Sequence, residues 1–149
     1  MKISKTQVVP VSVSLPSRIE NLPHFITPVL AAARALFIDE DRCNDLELAI
    51  EESIVNIISY AYPDKEGIVR IDCRREEDCL VVCIEDEGIE FDITAADAPD
   101  LSSDVSSRKI GGLGIYLVRN LMDDVRYRRE GNRNLLELVI FLHPKEMKE

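Results

Sequence analysis

Polar and apolar residues alternate at Val9, Val11, Val13 and Leu15, which predicts a strand over Gln7–Leu15. Pro16-Ser17 follows, and the next apolar positions predict a helix over Ser17–Phe37 with Ser17 as its cap; Pro23 and Pro28 require that helix either to begin later or to kink. The period is helical again where Leu46, Ala49, Ile50, Ile54, Ile57 and Ala61 make one stripe. This is a second helix, capped by Asp41 or Asn44 and ended near Tyr62 by Pro63-Asp64. Ile68–Arg74 and Cys79–Glu85 alternate as a hairpin across Arg75–Asp78. Asp86–Ile110 has no period and holds Pro99 and a run of serines. Gly111–Asp123 predicts a third helix, and Val125–Arg129 with Leu135–Leu142 a last hairpin around Gly131-Asn132. Two helices before a hairpin do not suit a doubly wound parallel sheet. The order predicts an α+β two-layer sandwich, about three helices on one face of a mixed, mostly antiparallel sheet. With no repeat or linker in view, residues 1–149 read as a single domain.

Charge changes this picture more than composition does. The 149 residues are 46% hydrophobic and 31% charged, ordinary for a globular protein. The net charge is −10, and residues 41–110 concentrate it, with 19 acidic against 7 basic side chains. Such a surface disfavours direct nucleic-acid binding and anionic membranes. It also opposes ATP, so a nucleotide would need Mg²⁺, helix N-terminal amides and a few local cations. No apolar run nears the roughly 20 residues that span a bilayer, and no signal-peptide core is visible, so a cytoplasmic location is expected. Cys43, Cys73, Cys79 and Cys83 read as reduced thiols, with Cys73 facing Cys79 across the predicted turn. There is no Cys-x-x-Cys, and His24 and His143 are remote, so zinc is not expected.

Three groups of residues carry candidate chemistry. Glu52 and Asn56 lie four apart on the second helix and project together. The Asn56 amide stands in an apolar half of that helix; its carbonyl oxygen suits Mg²⁺, and a carboxylate one turn earlier suits a general base. Asp86 ends the strand on the face of Leu80, Val82 and Ile84. There it can accept a hydrogen bond from an exocyclic amine such as that of adenine, with Gly88 leaving room for a flat base. Gly111, Gly112, Leu113 and Gly114 open the third helix, where backbone amides can hold anionic oxygens. Arg108 and Lys109 precede them and could meet a terminal phosphate. No Gly-Lys-Ser/Thr is present, so this is not a P-loop.

Taken together, in this order and spacing, Glu52 to Asn56, Asp86-Glu-Gly88 and Gly112-Leu-Gly114 resemble the three nucleotide-binding boxes of the GHKL (histidine-kinase-like, Bergerat-fold) ATPases. The chain is most similar to the anti-sigma-factor serine kinases among them. Its short length, Ala61-Tyr62 after the Asn helix, and Gly111-Gly-Leu-Gly followed by Asn120-Leu-Met-Asp123 carry that likeness, which runs from about Val11 to Leu142. The resemblance implies Glu52 as catalytic base, Asn56 on Mg²⁺, Asp86 on the adenine amine with Gly88 beside the ring, and Gly111, Gly112, Leu113 and Gly114 around the phosphates. Arg108 or Lys109 would contact the γ-phosphate. It also implies ATP and Mg²⁺ as cofactors, a sigma factor and an anti-anti-sigma antagonist as protein partners, and a family habit of homodimerising. Glu90 stands where many members have a second glycine, and Ile57 replaces a small residue. The rival from another class is a non-catalytic nucleotide-binding regulatory module that sequesters a protein partner.

Overall fold

In the computed structural model, residues 11–92, 94 and 112–143 are described. Strand β1 is Val11–Pro16. A short 3₁₀ turn, Ile19–Asn21, leads into helix α1, Leu22–Ala35. The two prolines thus resolve as a late start: Pro23 sits in the first turn, where its missing N–H costs nothing, and Pro28 is carried inside the helix. Ser17 is not a cap. Its Oγ accepts from Gly67 N–H (3.0 Å) and its own N–H donates to Gly67 O (2.8 Å), so it ties the end of β1 to the chain entering β2.

Helix α2 is Glu40–Asn56, and its cap is Asp39 rather than Asp41 or Asn44. Asp39 is extended and its carboxylate accepts from Arg42 N–H at 2.9 Å. The expected helix to Tyr62 changes character after Asn56: Ile57–Ala61 form one turn of π-helix. Strands β2 (Ile68–Glu76) and β3 (Cys79–Asp86) pair across a turn at Glu77-Asp78, two residues tighter than predicted. Helix α3 is Gly112–Leu121, and strands β4 (Asp124–Glu130) and β5 (Arg133–Phe141) turn at Gly131-Asn132 with Gly131 at φ 60°.

The sheet order is β1-β2-β3-β5-β4, and every pairing is antiparallel. The class is the expected two-layer α+β; the parallel part of a mixed sheet is absent among the described strands. The predicted helix stripe is the core: Leu46, Ala49, Ile50, Ile54, Ile57 and Ala61 are buried with Ile71, Leu80, Val82, Ile84, Leu136, Leu138 and Ile140 from the sheet. Truncating a fully buried member such as Leu46 to alanine costs about 2–5 kcal/mol. α3 packs along α2 with Val118 and Met122 buried, and Arg42 secures its end by donating to Leu121 O (2.8 Å) and Asp123 (2.9 Å).

The other sheet face carries Cys79, Val81 and Cys83 on β3 and Glu137 on β5. Buried Glu137 accepts from Arg74, with Arg128 and Arg126 at 3.8 and 3.9 Å. All four cysteines are free. Cys73 does not face Cys79: it pairs with Val82 and points into the core, whereas Cys79 pairs with Glu76. Burial pushes the Cys73 and Cys83 thiols up to about 12.

Candidate functional site

One pocket gathers two of the sequence-predicted residues. Ser53, Asn56, Ile57, Ala61, Asp86, Phe91, Tyr127, Asn134 and Leu136 line it. Asn56 reaches it from the last turn of α2, and Asp86 from the end of β3, facing the helices as its parity with Leu80, Val82 and Ile84 requires.

Asn56 is 2% exposed. Its Nδ2 donates to Glu52 O at 2.9 Å, back across one helical turn, and among the described residues its carbonyl oxygen has no hydrogen-bond partner. A buried amide oxygen with no donor is a cost unless something outside the chain meets it. A hard cation is one such partner, so the donor present fits Mg²⁺. Glu52 is half-buried one turn earlier, and its carboxylate is not part of the pocket wall.

Asp86 is 3% exposed. One carboxylate oxygen, Oδ1, accepts from Gly88 N–H and from Asn134 Nδ2, both at 2.8 Å, and Oδ2 has no partner among the described residues. Burial pushes this carboxyl above the ordinary aspartate range, while the Asn134 and Gly88 hydrogen bonds and the Arg129 charge pull it back. The result is a desolvated carboxylate with one oxygen fixed and the other available to a donor.

Gly88 also has a packing reason that the sequence does not suggest. A Cβ there would stand 2.3 Å from the Ala61 carbonyl oxygen, so the glycine faces backbone and not open space. That approach lets Ile89 N–H donate to Ala61 O at 2.9 Å. The π turn brings Ala61 to this position, and Tyr62 secures it: Tyr62 OH donates to Ile68 O (2.8 Å) and accepts from Glu87 N–H (2.7 Å). Tyr60 stacks on Phe91 with ring centroids 5.0 Å apart.

Asn134 was not predicted. It pairs in register with Asp86, is buried, and donates Nδ2 also to Ile89 O (2.8 Å). Its Oδ1 accepts from Tyr127 OH (2.6 Å), Arg129 (3.1 Å) and Phe91 N–H (3.3 Å), and Arg129 also donates to Gly88 O at 2.8 Å. The available signal was parity: Asn134 shares the face of Leu136, Leu138 and Ile140, where an amide needs a partner. Gly112, Leu113 and Gly114 form the first turn of α3, which packs on α2. Gly111, Arg108, Lys109 and the segment from Ile93 to Lys109, Thr94 excepted, lie outside the described residues.

Comparison with known proteins agrees with this fold. The model of the histidine kinase-like ATPase domain matches residues 15–140. The chain is 36% identical over 106 residues to the serine-protein kinase RsbW of Listeria monocytogenes serovar 1/2a, covering 67% of each chain. The RsbW of Listeria innocua serovar 6a is 35% identical over the same length and the same shares. That of Bacillus cereus strain Q1 is 26% identical over 130 residues, which is 85% of this chain and 81% of the relative.

Proposed function

The chain belongs to the histidine kinase-like ATPase family, and from that premise we propose that it is an ATP- and Mg²⁺-dependent protein serine kinase that doubles as an anti-sigma factor. It holds a sigma factor until an anti-anti-sigma antagonist competes, and it inactivates that antagonist by phosphorylating a serine. It acts in the cytoplasm as a single domain over residues 1–149. The observation that supports this best is the pairing, on the walls of one pocket, of a buried Asn56 carbonyl and a buried Asp86 Oδ2 that have no partner among the described residues.

In this reading Asp86 Oδ2 accepts from the adenine amine while Asn134 and Gly88 hold Oδ1. Asn56 holds Mg²⁺, which when bound neutralises phosphate charge. Gly111, Gly112, Leu113 and Gly114 offer backbone amides to the phosphates, and Arg108 or Lys109 meets the terminal one. Glu52 takes the proton from the antagonist's serine hydroxyl as its oxygen bonds to the γ-phosphorus and the bond to ADP breaks. The name of the relatives, serine-protein kinase, supports transfer to serine.

Glu90, where many relatives of this fold have glycine, favours a second reading: a nucleotide-binding module that sequesters a partner without phosphoryl transfer. One assay separates the two. Glu52→Gln keeps the side chain's shape and removes its basicity, so it is expected to bind Mg-ATP normally and to lose about 10²–10⁴-fold in transfer of labelled γ-phosphate to an anti-anti-sigma protein. Equal rates in parent and variant place the base elsewhere; no transfer by the parent, with binding intact, selects the module.

A further inference from the structure

The corner between α1 and α2 displays a side chain that folding alone does not account for. α1 ends in a Schellman arrangement: Phe37 N–H donates to Arg34 O (3.0 Å), and Ile38 N–H to Ala33 O (3.1 Å). The residue that follows the helix cap is thereby placed in the left-handed region, where glycine is the usual occupant and a Cβ is penalised. Here it is Phe37, at φ 64°. Its side chain is 89% exposed, and no other exposed large apolar residue among those described exceeds 60%. The other non-glycine residue at positive φ among the described residues is Glu77, a polar residue in the β2–β3 turn, which is an ordinary occupant of such a place. A single exposed apolar side chain is unremarkable, and so is a strained polar turn residue. A bulky aromatic that is both strained and in solvent burdens the free chain twice.

The surroundings of Phe37 are acidic. Asp39, Glu40 and Asp41 follow it, all exposed. Both cations of the corner are already engaged: Arg34 with Glu40 at 2.8 Å, and Arg42 with Asp45 at 2.7 Å and Asp123 at 2.9 Å. Among the described residues of this corner, Asp41 pairs with neither Arg34 nor Arg42. An aromatic anchor inside an acidic rim is the complement of an apolar pocket bordered by lysine and arginine.

We infer that Phe37 and its acidic rim dock the basic, DNA-binding face of the sigma factor. This rests on the anti-sigma reading above. A protein that binds DNA carries a Lys/Arg-rich face for phosphates, and a protein that keeps it from DNA gains most by covering that face with like-for-like negative charge. Charge complementarity therefore commits the corner to the sigma factor.

The test uses the full chain and, as probes, the sigma factors and anti-anti-sigma proteins encoded in the source genome, each purified. Phe37→Gly is expected to raise the unfolding midpoint by roughly 2–4 °C, because it relieves the left-handed strain. The same substitution is expected to weaken sigma-factor binding by about 30-fold or more, the range of a hot-spot truncation. Asp41→Lys is expected to weaken it and to flatten its salt dependence. A lower midpoint for Phe37→Gly makes Phe37 a packing residue and overturns the inference. So does unchanged sigma binding, or a loss confined to the antagonist. If the parent binds one sigma factor and Phe37→Gly binds it equally, only the corner is refuted; if the parent binds none, the anti-sigma reading falls and the inference with it.

Discussion

Asp86 shows how one residue can be a liability to the fold and an asset to the site. Burial raises its pKa, so the folded chain binds a proton there more tightly than the unfolded chain does. The charged form therefore costs stability at neutral pH, and that cost is relieved as pH falls through the raised folded value. Asp86→Asn can keep its carbonyl on Gly88 N–H and Asn134 Nδ2 without the charge, so it is expected to leave the unfolding midpoint at pH 7 unchanged or higher. Its amide would meet the adenine amine donor to donor, and ATP affinity should fall by about 1.5–3 kcal/mol by calorimetry. For the parent chain, affinity should decline with falling pH earlier than an ordinary aspartate would dictate, because protonation of Asp86 removes the acceptor. A decline at no higher pH than an ordinary aspartate gives would remove Asp86 from the base contact. Asp86 was legible from its parity and from the glycine beside it. Its partner Asn134 was not singled out, because a polar residue at a strand's start reads as turn until the register opposite Asp86 is known.

At the scale of elements, the π turn Ile57–Ala61 joins sequence to site. Its last residues are fixed from outside the helix: Ala61 O by Ile89 N–H, and Tyr62 OH between Ile68 O and Glu87 N–H. Tyr62→Phe keeps the ring against Gly67 but removes both hydrogen bonds, and it leaves the Glu87 N–H without its acceptor. A loss of about 1–3 kcal/mol in urea unfolding is expected, with weaker ATP binding because the Asp86–Gly88 turn loses its support. Unchanged stability would show that the tyrosine hydroxyl holds nothing. The apolar stripe of α2 and both hairpins were legible because periodicity records which face is buried. The π turn, the Asp39 cap and the role of Ser17 were not. Each is decided by a partner distant in sequence, or by a loop conformation such as that of Phe37, which composition does not specify. Gly88 was found by sequence, but its physical reason, the approach to Ala61, is tertiary.

For the whole molecule, the balance is between an acidic chain and an anionic substrate. A net charge of −10 repels ATP, and screening by salt only partly offsets this. The proposed function therefore needs Mg²⁺, and the fold offers it one buried amide oxygen, at Asn56, that no other described residue uses. Ligand that binds only the folded state stabilises it by mass action, about 2.7 kcal/mol at a concentration one hundred times Kd. For the parent chain, thermal unfolding with saturating Mg-ATP should shift upward by several degrees, and EDTA should remove most of that shift. Asn56→Ala deletes the metal's proposed protein ligand and, with it, an internal bond to Glu52 O that is already within a formed helix, so its unfolding without nucleotide should change little. With nucleotide it should behave as the parent does in EDTA, keeping the small Mg²⁺-independent shift contributed by Asp86 and losing the rest. If Asn56→Ala and parent show the same Mg²⁺-dependent shift, the unpartnered oxygen is not where the metal binds, and the charge of the phosphates is met by other groups.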